Sequence, residues 1–314
     1  MQGVIQKSTG SWYQVKTSNH QLVECRIVGK LRLSGIKSTN PVAVGDVVEF
    51  ELENGAETGI IKKILPRKNY IIRKSVNLAK QTQIIAANLD QAVLIVTLDF
   101  PKTFPRFIDR FLVTAEAYSI PATVVFNKVD LYDENLLNDL EFYTLVYQNA
   151  GYQVLHTSVP DDFGLADFKQ ILKDKTSLLS GHSGVGKSTL INTIEPKLDL
   201  KTSFISDSHH QGQHTTTFAE MFALSFGGNI IDTPGIKGFG LVEMEQEEIG
   251  DYFPEILALK SACKFNNCLH LNEPQCAVKE AAEEGTFAFT RYESYLSFVS
   301  GNEEDNFRKD IYAN

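Results

Sequence analysis

The stretch "SLLSGHSGVGKSTLIN", residues 177–192, decides the fold, because it runs from an apolar strand through a glycine-rich loop into a helix. Its central part, "GHSGVGKS", fits the pattern G-x-x-x-x-G-K-[ST]. Glycines let such a backbone wrap around a phosphate chain with several N–H groups pointing inward. An ordinary glycine turn between a strand and a helix is the alternative. We predict a phosphate-binding loop formed by Gly181, His182, Ser183, Gly184, Val185, Gly186, Lys187, Ser188 and Thr189.

Two further elements complete the predicted phosphate and metal site. Lys187 is expected to hold the β- and γ-phosphates, and Ser188 to bind Mg²⁺. Downstream, "NIIDTPG" (229–235) is an apolar strand that ends in an aspartate and a Pro-Gly turn. The carboxylate of Asp232 would hold Mg²⁺ through a water, and the N–H of Gly235 would contact the γ-phosphate.

The segment "QGQHTTTF" (211–218) lies between these two elements. Nucleotide switches keep a mobile segment there, in which a threonine binds Mg²⁺ only while the γ-phosphate is present. Thr215, Thr216 and Thr217 compete for this role, and we assign it to Thr216.

A base-reading loop is predicted at "NKVD", residues 127–130, directly after the apolar run "ATVVF". The carboxylate of Asp130 can accept hydrogen bonds from N1–H and the 2-amino group of guanine, whereas adenine offers neither donor. Taken alone, "NKVD" would fit a surface turn before a helix equally well. We assign guanine binding to Asn127, Lys128, Val129 and Asp130, with the backbone N–H of Ser158 contacting guanine O6.

The order of these elements is unusual, because the base-reading loop precedes the phosphate loop. A sheet needs the same strands as neighbours but not the same chain order, so the order indicates a circularly permuted nucleotide-binding domain. The chain then leaves this domain directly after "DTPG" (232–235), at the part expected to move on hydrolysis. We infer that the C-terminal region is a lever or a sensor.

The predicted fold class is multidomain α/β. Residues 1–72 contain about five short strand patterns, which suit a small barrel of the OB-fold type or an SH3-like barrel. Residues 73–240 alternate apolar strands with helix-length segments, which favours a mostly parallel sheet with helices on both faces. Residues 241–314 are predicted to form a helical domain with a flexible tail.

A cysteine and histidine cluster lies in the C-terminal region, in "CKFNNCLHLNEPQC". Cys263, Cys268, His270 and Cys276 compose a Cys₃His set, which suits one structural Zn²⁺. The short C-x-H spacing departs from common zinc-finger patterns, and unrelated thiols are the alternative.

Charge is distributed unevenly along the 314 residues. The net charge is −9, but residues 1–80 hold 13 Lys and Arg against 6 Asp and Glu, a local balance of +7 that leaves −16 for the rest. Such a basic segment indicates an RNA contact, and a solvated strand face is the alternative. The predicted RNA-binding residues are Lys62, Lys63, Arg67, Lys68, Arg73 and Lys74.

The sequence also indicates where in the cell the protein is expected. The first residues, "MQGVIQKSTGSWYQV", lack a secretion signal, and no apolar run approaches the length of a membrane span. Four cysteines without such a signal do not indicate a disulfide scaffold. We expect a cytoplasmic monomer with no membrane partner.

Taken together, the barrel, the permuted order of "NKVD", "GHSGVGKST", "QHTTT" and "DTPG", and the C-x4-C-x-H-x5-C tail resemble one family over nearly the whole chain. This is the circularly permuted, small-ribosomal-subunit-dependent GTPase A family of bacterial ribosome assembly factors. The resemblance implies an OB-fold domain, a GTPase domain that binds GTP and GDP with Mg²⁺, and a zinc-binding helical domain. It also implies late maturation of the small ribosomal subunit, contact with its rRNA, and hydrolysis stimulated by that subunit. The "GQH" of the threonine segment departs from the expected pattern, in which Arg precedes the His.

The source of a water-orienting group is left open. Ile236 follows "DTPG" where a Ras-like enzyme carries Gln, and an aliphatic side chain cannot orient water. We therefore expect slow intrinsic turnover, with His214 in cis or a ribosomal group in trans as the missing catalytic group. Two rival functions are an ATP-using enzyme that phosphorylates a small molecule, and an RNA-binding module with GTP as a bound switch.

Overall fold

The computed structural model of the chain describes residues 1–27, 41–53, 55–74, 82–200, 219–232 and 244–301. At its N-terminus, five short strands close into a barrel, in which the order of pairing is β1-β2-β3-β5-β4 and β4 pairs back to β1. Side chains alternate between the barrel interior and solvent, which buries Ile5, Tyr13, Val15, Phe50 and Ile61. The predicted small barrel is confirmed, with the five strands expected of an OB-fold. The strands are β1 (Gln2–Ser8), β2 (Tyr13–Thr17), β3 (Leu22–Ile27), β4 (Val47–Leu52) and β5 (Gly59–Ile64).

A two-stranded antiparallel ribbon, β6 (Tyr70–Lys74) with β7 (Thr82–Ala87), follows the barrel. An isolated bridge between Val44 and Ala86 joins the ribbon to the end of the barrel. β6 therefore runs across residues 72 and 73, where the sequence suggested a change of domain.

The central sheet has the order β10-β9-β8-β11-β13-β12. All neighbours in it run parallel except β12, which pairs antiparallel with β13. Every residue of β8 is buried, as expected of a strand covered on both faces. Helices cover both faces of this sheet. One core contains Phe107 and Leu140, and a second core on the opposite face contains Phe168 and Leu190. The elements are β8 (Gln91–Val96), α1 (Pro105–Ala117), β9 (Ala122–Asn127), α2 (Glu134–Asn149), β10 (Gln153–Thr157), α3 (Leu165–Leu172), β11 (Thr176–Ser180), α4 (Lys187–Ile194), β12 (Glu220–Ala223) and β13 (Asn229–Asp232).

The barrel and the central sheet are joined edge to edge. Lys7 of β1 lies opposite Glu220 of β12 in an antiparallel pair, and their side chains form an ion pair of 2.9 Å. Within the described ranges, the two units thus form one sheet of eleven strands.

The C-terminal unit consists of α5 (Gln246–Ile249), α6 (Pro254–Leu259), α7 (Ala277–Glu284) and α8 (Phe289–Val299). Its core contains Phe253, Tyr295 and Phe298, and Val113 of α1 also belongs to this core. Helix α1 therefore packs on the central sheet and on the C-terminal unit at once.

A buried ion-pair network strengthens this joint. Arg291 of α8 is fully buried, and its Nη1 donates to Oδ1 of Asp109 on α1 at 2.9 Å. Its Nε and Nη2 both donate to the carboxylate of Glu255, each at 2.9 Å. A buried charge of this kind needs such partners, because leaving it unpaired would cost several kcal/mol.

The helices in the described part of the chain include no candidate for a membrane span, since none combines sufficient length with sufficient apolar character.

Candidate nucleotide site and metal centre

The predicted nucleotide-binding residues collect at one edge of the central sheet. Parallel strands β8, β9, β10, β11 and β13 all end there, and the loops that follow β8, β9, β10 and β11 lie side by side. Open α/β sheets bind ligands at this carboxyl edge. Sequence segments more than a hundred residues apart, such as "NKVD" and Asp232, are thereby brought to one place.

The phosphate loop depends on glycine at two points where a side chain would collide. A Cβ at Gly181 would lie 2.3 Å from the carbonyl oxygen of Ile95, and one at Gly186 would lie 2.5 Å from Nδ2 of Asn127. Both glycines also have positive φ, 153° and 91°. Helix α4 begins directly after Gly186, which has no side chain to cap it. The N-terminus of a helix with such a start suits an anion.

The residues predicted for phosphate and for Mg²⁺ meet in an ion pair. Nζ of Lys187 lies 2.7 Å from Oδ1 of Asp232, with 18% and 31% of the two side chains exposed. The lysine amine and the aspartate carboxylate neutralise each other in this structure. A phosphate chain would compete for the lysine, and a Mg²⁺ ion would compete for the aspartate. Carboxylate and hydroxyl oxygens suit Mg²⁺, so Asp232 together with Ser188 fits this ion.

Asn127 and Lys128 tie the base-reading loop to the phosphate loop. Nδ2 of Asn127 donates to the carbonyl of Val185 at 2.8 Å. Nζ of Lys128 donates to the carbonyls of Gly184 at 2.7 Å and Phe100 at 2.8 Å. Burial lowers the pKa of Lys128, which the neighbouring Asp130 partly opposes. The two loops therefore form a single hydrogen-bonded unit.

Ser158 orients the carboxylate of Asp130 through its side chain. Its hydroxyl donates to Oδ1 of Asp130 at 2.8 Å. The backbone N–H of Ser158 donates to the carbonyl of Phe163 at 3.0 Å. The side chain of Ser158 therefore restrains Asp130, and the predicted contact of its backbone N–H with guanine O6 stays a prediction.

Several supporting residues were missed by the sequence analysis. The Oγ1 of Thr157 donates to Oδ1 of Asn127 at 2.8 Å, and the ring of Phe107 lies tilted against His182 with centroids 3.9 Å apart. Tyr132 contacts the carbonyl of Asn127 through its hydroxyl. The residue types alone carry no sign of these contacts, because each depends on how two strands or a strand and a helix are placed.

Three predicted positions lie outside the described residues: His214, Thr216 with its neighbours Thr215 and Thr217, and Gly235. The side chains of Arg73 and Lys74 also lie outside the description. Their assignments stay predictions.

The basic residues of the predicted RNA surface differ in their surroundings. Lys62 and Lys68 are exposed and pair with Glu51 at 3.1 Å and Asp90 at 2.7 Å, while Lys63 is exposed on β5.

Arg67 is different, because only 8% of its side chain is exposed. Its guanidinium binds both oxygens of Asp46 at 2.6 and 2.7 Å, and the carbonyl of Pro41 at 2.7 Å. Arg67 therefore has a structural role at the barrel rather than a free guanidinium for RNA.

The Cys₃His set forms a metal-sized cluster. The ligand atoms of Cys263, Cys268, His270 and Cys276 all lie within 4.8 Å of one another. Nδ1 of His270 is 3.6 Å from Sγ of Cys263 and 3.3 Å from Sγ of Cys276, and the two sulfurs are 3.9 Å apart. Tetrahedral Zn²⁺ with its usual bond lengths separates such atoms by roughly 3.5–3.8 Å. The cluster therefore fits one structural Zn²⁺.

Burial acts in opposite directions on the histidine and on two of the thiols. Burial lowers the pKa of His270, which keeps the imidazole neutral and able to bind a metal. It raises the pKa of Cys268 to about 12 and also raises the pKa of Cys276, so a metal ion has to displace their protons. The hydroxyls of Tyr292 and Tyr295 donate to the carbonyls of His270 and Leu269, both at 2.6 Å, and hold the ligand loop on α8.

Two family models match the chain. The model described as RsgA N-terminal domain matches residues 2–61, and the model described as RsgA GTPase matches residues 64–242. The chain belongs to the RsgA GTPase family. This RsgA-family protein is a GTP hydrolase, which decides against the alternative of an ATP-using small-molecule kinase.

Individual relatives agree with this assignment over the full length. The chain is 60% identical to the small ribosomal subunit biogenesis GTPase RsgA of Christiangramia forsetii, over 99% of each chain. It is 56% identical to the protein of the same name from Flavobacterium psychrophilum, over 99% of this chain and 96% of the relative.

Solved structures show the same fold. The crystal structure of YjeQ from Thermotoga maritima matches with a TM-score of 0.78 and 34% identity, over 96% of this chain and 97% of that one. YloQ, described as a circularly permuted GTPase, matches with a TM-score of 0.72 and 34% identity, over 96% and 94%. The predicted fold class, including the circular permutation, is confirmed for this RsgA-family GTPase.

Proposed function

We propose that this GTPase acts in late maturation of the small ribosomal subunit, and that the subunit stimulates its GTP hydrolysis. The observation that carries the proposal is the identity of 60% over nearly the full length with a relative named for biogenesis of that subunit. Ile236 adds support, because its aliphatic side chain cannot orient the attacking water. The missing group would come from His214 or from the ribosome.

The described loops support specific roles in GTP binding. Asp130 would accept hydrogen bonds from guanine, oriented by the hydroxyl of Ser158. Lys187 would leave Asp232 to bind the β- and γ-phosphates. Ser188, Asp232 and Thr216 would hold Mg²⁺, which when bound neutralises phosphate charge, and Gly235 would contact the γ-phosphate.

The zinc centre would be structural in this proposal. Its four protein ligands close a tetrahedral site and leave no position for a substrate. The ligand loop rests on α8, which is joined to α1 and thus to the GTPase sheet. A bound Zn²⁺ would keep the C-terminal unit folded against the part of the chain that follows "DTPG".

The barrel and the ribbon that follows it are proposed to contact rRNA through Lys62, Lys63, Lys68, Arg73 and Lys74, since lysines and arginines bind phosphates. The zinc-binding unit would be a second contact.

We also propose that the chain has three domains, formed by residues 1–72, 73–240 and 241–314. The protein would be a monomer in the cytoplasm.

Phosphate release tests the proposal. We would measure it from GTP and from ATP, alone and with purified small ribosomal subunits, using large subunits as the matched control. Strong stimulation of GTP hydrolysis by small subunits only is expected. Equal rates with and without small subunits would contradict the ribosomal part and leave the GTPase assignment intact.

A variant sharpens the test of the guanine site. Asp130→Asn replaces an acceptor by an amide that can donate to O2 of xanthine. We expect stimulated hydrolysis to shift from GTP to XTP. If Asp130→Asn still hydrolyses GTP like the parent protein, Asp130 does not read the base.

A further inference from the structure

Tyr132 lies two residues after Asp130, and its hydroxyl bridges two strands. The side chain is buried in the core between the sheet and α1. The hydroxyl accepts a hydrogen bond from the backbone N–H of Leu98 at 2.8 Å and donates one to the carbonyl of Asn127 at 3.0 Å. One atom thus connects the end of β8 to the end of β9.

The bridge begins where the strand pairing stops. The parallel register of β8 with β9 ends at the pair Val96 and Phe126. Leu98 lies two residues beyond Val96, and Asn127 lies one residue beyond Phe126. At these positions the two strands turn away into their loops. The Tyr132 hydroxyl therefore supplies the next connection between the strands, at the base of the guanine-reading loop.

The same residue also closes that loop along the chain. Lys128 has a left-handed backbone, with φ of 61° and ψ of 37°, and a single 3₁₀ turn follows over Val129–Leu131. The backbone N–H of Tyr132 donates to the carbonyl of Val129 at 3.2 Å, while its hydroxyl reaches back to Asn127. Residues 127 to 132 are thereby held as a closed ring, and Asp130 lies within it.

The hydroxyl is a permanent donor. Burial raises the pKa of Tyr132 to about 12, so the phenol keeps its proton throughout the neutral range. The aromatic ring contributes packing, and only the hydroxyl contributes the bridge. A phenylalanine would keep the packing and remove the bridge.

We infer that Tyr132 is a positioning residue for guanine specificity, because its hydroxyl fixes the loop that presents Asp130 to the base. This rests on the proposed guanine site. Ser158 restrains the Asp130 carboxylate from β10, and Tyr132 restrains the loop backbone from β8. Without the hydroxyl, the carboxylate would lose part of its fixed placement against the 2-amino group.

The test compares GDP with IDP, which lacks the 2-amino group. We would measure equilibrium binding of both nucleotides, with Mg²⁺, to the full chain and to Tyr132→Phe. The ratio of affinities, GDP over IDP, should fall by about fivefold to tenfold in Tyr132→Phe, because the variant loses only part of the roughly 10-fold to 150-fold that a hydrogen bond to a charged group contributes. A general weakening of the fold would lower both affinities equally and leave the ratio unchanged.

Tyr143→Phe is the matched control. Tyr143 lies on α2, is half-buried and packs against the same core, and its contacts are with aromatic rings. Its substitution should leave the ratio at the parent value. An unchanged ratio in Tyr132→Phe would overturn the inference.

The proposed guanine site has its own criterion. The parent protein must bind GDP more tightly than IDP, and Asp130→Ala must bring the ratio of GDP affinity to IDP affinity close to one. If either result is not found, the proposed guanine site is wrong. If both hold and Tyr132→Phe keeps the parent ratio, only the inference about Tyr132 fails.

Amide hydrogen exchange tests the bridge without a variant. The N–H of Leu98 has the Tyr132 hydroxyl as its partner, so it should exchange slowly in the parent protein. Exchange of the Leu98 amide as fast as in an exposed loop would overturn the inference even if Tyr132→Phe did not fold.

Discussion

At the residue scale, the ion pair between Lys187 and Asp232 joins the side chain proposed for phosphate to the side chain proposed for Mg²⁺. In these proposed roles, a bound Mg²⁺ would release the lysine by taking its partner. Without Mg²⁺, a nucleotide must break the pair unaided. Phosphate binding and metal binding are therefore linked through these two side chains.

Asp232→Asn should tighten GDP binding in the absence of Mg²⁺. The pair is partly exposed, so its loss is worth about 0.5–1 kcal/mol, or roughly twofold to fivefold in affinity. The gain in affinity on adding Mg²⁺ should shrink at the same time. Titration of GDP in EDTA and in Mg²⁺ measures both effects.

The control is Asp251→Asn, which removes the carboxylate that pairs with Lys260 in the C-terminal unit. It should bind GDP like the parent protein under both conditions. GDP affinity in EDTA that is no higher for Asp232→Asn than for the parent would contradict the prediction.

The sequence indicates candidate site residues where they form a local pattern, and it gives no sign of contacts between residues that are far apart in the chain. Lys187, Asp130 and Asp232 each belong to a short motif whose spacing is set by one turn. One partner of Arg291 is Asp109, 182 positions earlier, and no local pattern relates the two. The pairing of Arg67 with Asp46 was hidden for the same reason, since the two meet only when the barrel closes.

At the scale of elements, the ligand loop, which carries the predicted zinc ligands between residues 263 and 276, is a short irregular segment between α6 and α7. It contains two non-glycine residues with positive φ, His270 and Gln275, both at 57°. Such a backbone persists only where its surroundings fix it. Glu273 assists by accepting N–H donors from Leu269, Leu271 and Asn272.

His270→Ala should lower the zinc content from one ion per chain towards zero and destabilise the C-terminal unit. Three remaining thiol ligands cannot close a tetrahedral site, and Zn²⁺ binding supplies folding energy directly. Metal analysis and thermal unfolding measure the two effects.

Cys25→Ala is the control, since Cys25 lies in the barrel core and not in the cluster. It should keep one zinc per chain. Full zinc occupancy in His270→Ala would show that this histidine is not a ligand.

Strands were predictable where the order of apolar and polar residues marks them. The barrel strands show alternating residues, and the buried strand β8 shows a continuous apolar run. The ribbon of β6 and β7 was missed, because no local pattern marks the pairing of its two strands. Its place at the end of the barrel depends on contacts with a distant segment, such as the bridge between Val44 and Ala86.

At the scale of the whole molecule, the barrel is joined to the strand that separates the two segments expected to respond to GTP. β12 follows the threonine segment and precedes β13, which ends at Asp232. Strand β1 pairs with β12 through Lys7 and Glu220, and Nε2 of Gln6 contacts the sulfur of Met221 at 3.2 Å. A displacement of β12 would therefore act on the barrel through these contacts.

Lys7→Glu should loosen this joint, because it places two like charges directly opposite each other. The ion pair is partly exposed, so we expect a change of at most about 1 kcal/mol, seen as faster exchange of the Glu220 amide and faster proteolysis between barrel and sheet. The double variant Lys7→Glu with Glu220→Lys restores opposite charges and should return both rates towards the parent values. If the double variant is as loose as the single one, the ion pair does not hold the joint.

The edge-to-edge sheet also fixes the order in which a growing chain can complete itself. All pairings inside the barrel lie within the first 64 residues, so the barrel can close soon after synthesis starts. Lys7 must then wait for a partner made 213 residues later. Strand β8 keeps one edge open until β11 emerges, since Gln91 pairs with Ser177. A chain that stops before β13 therefore carries a finished barrel and an unfinished nucleotide site.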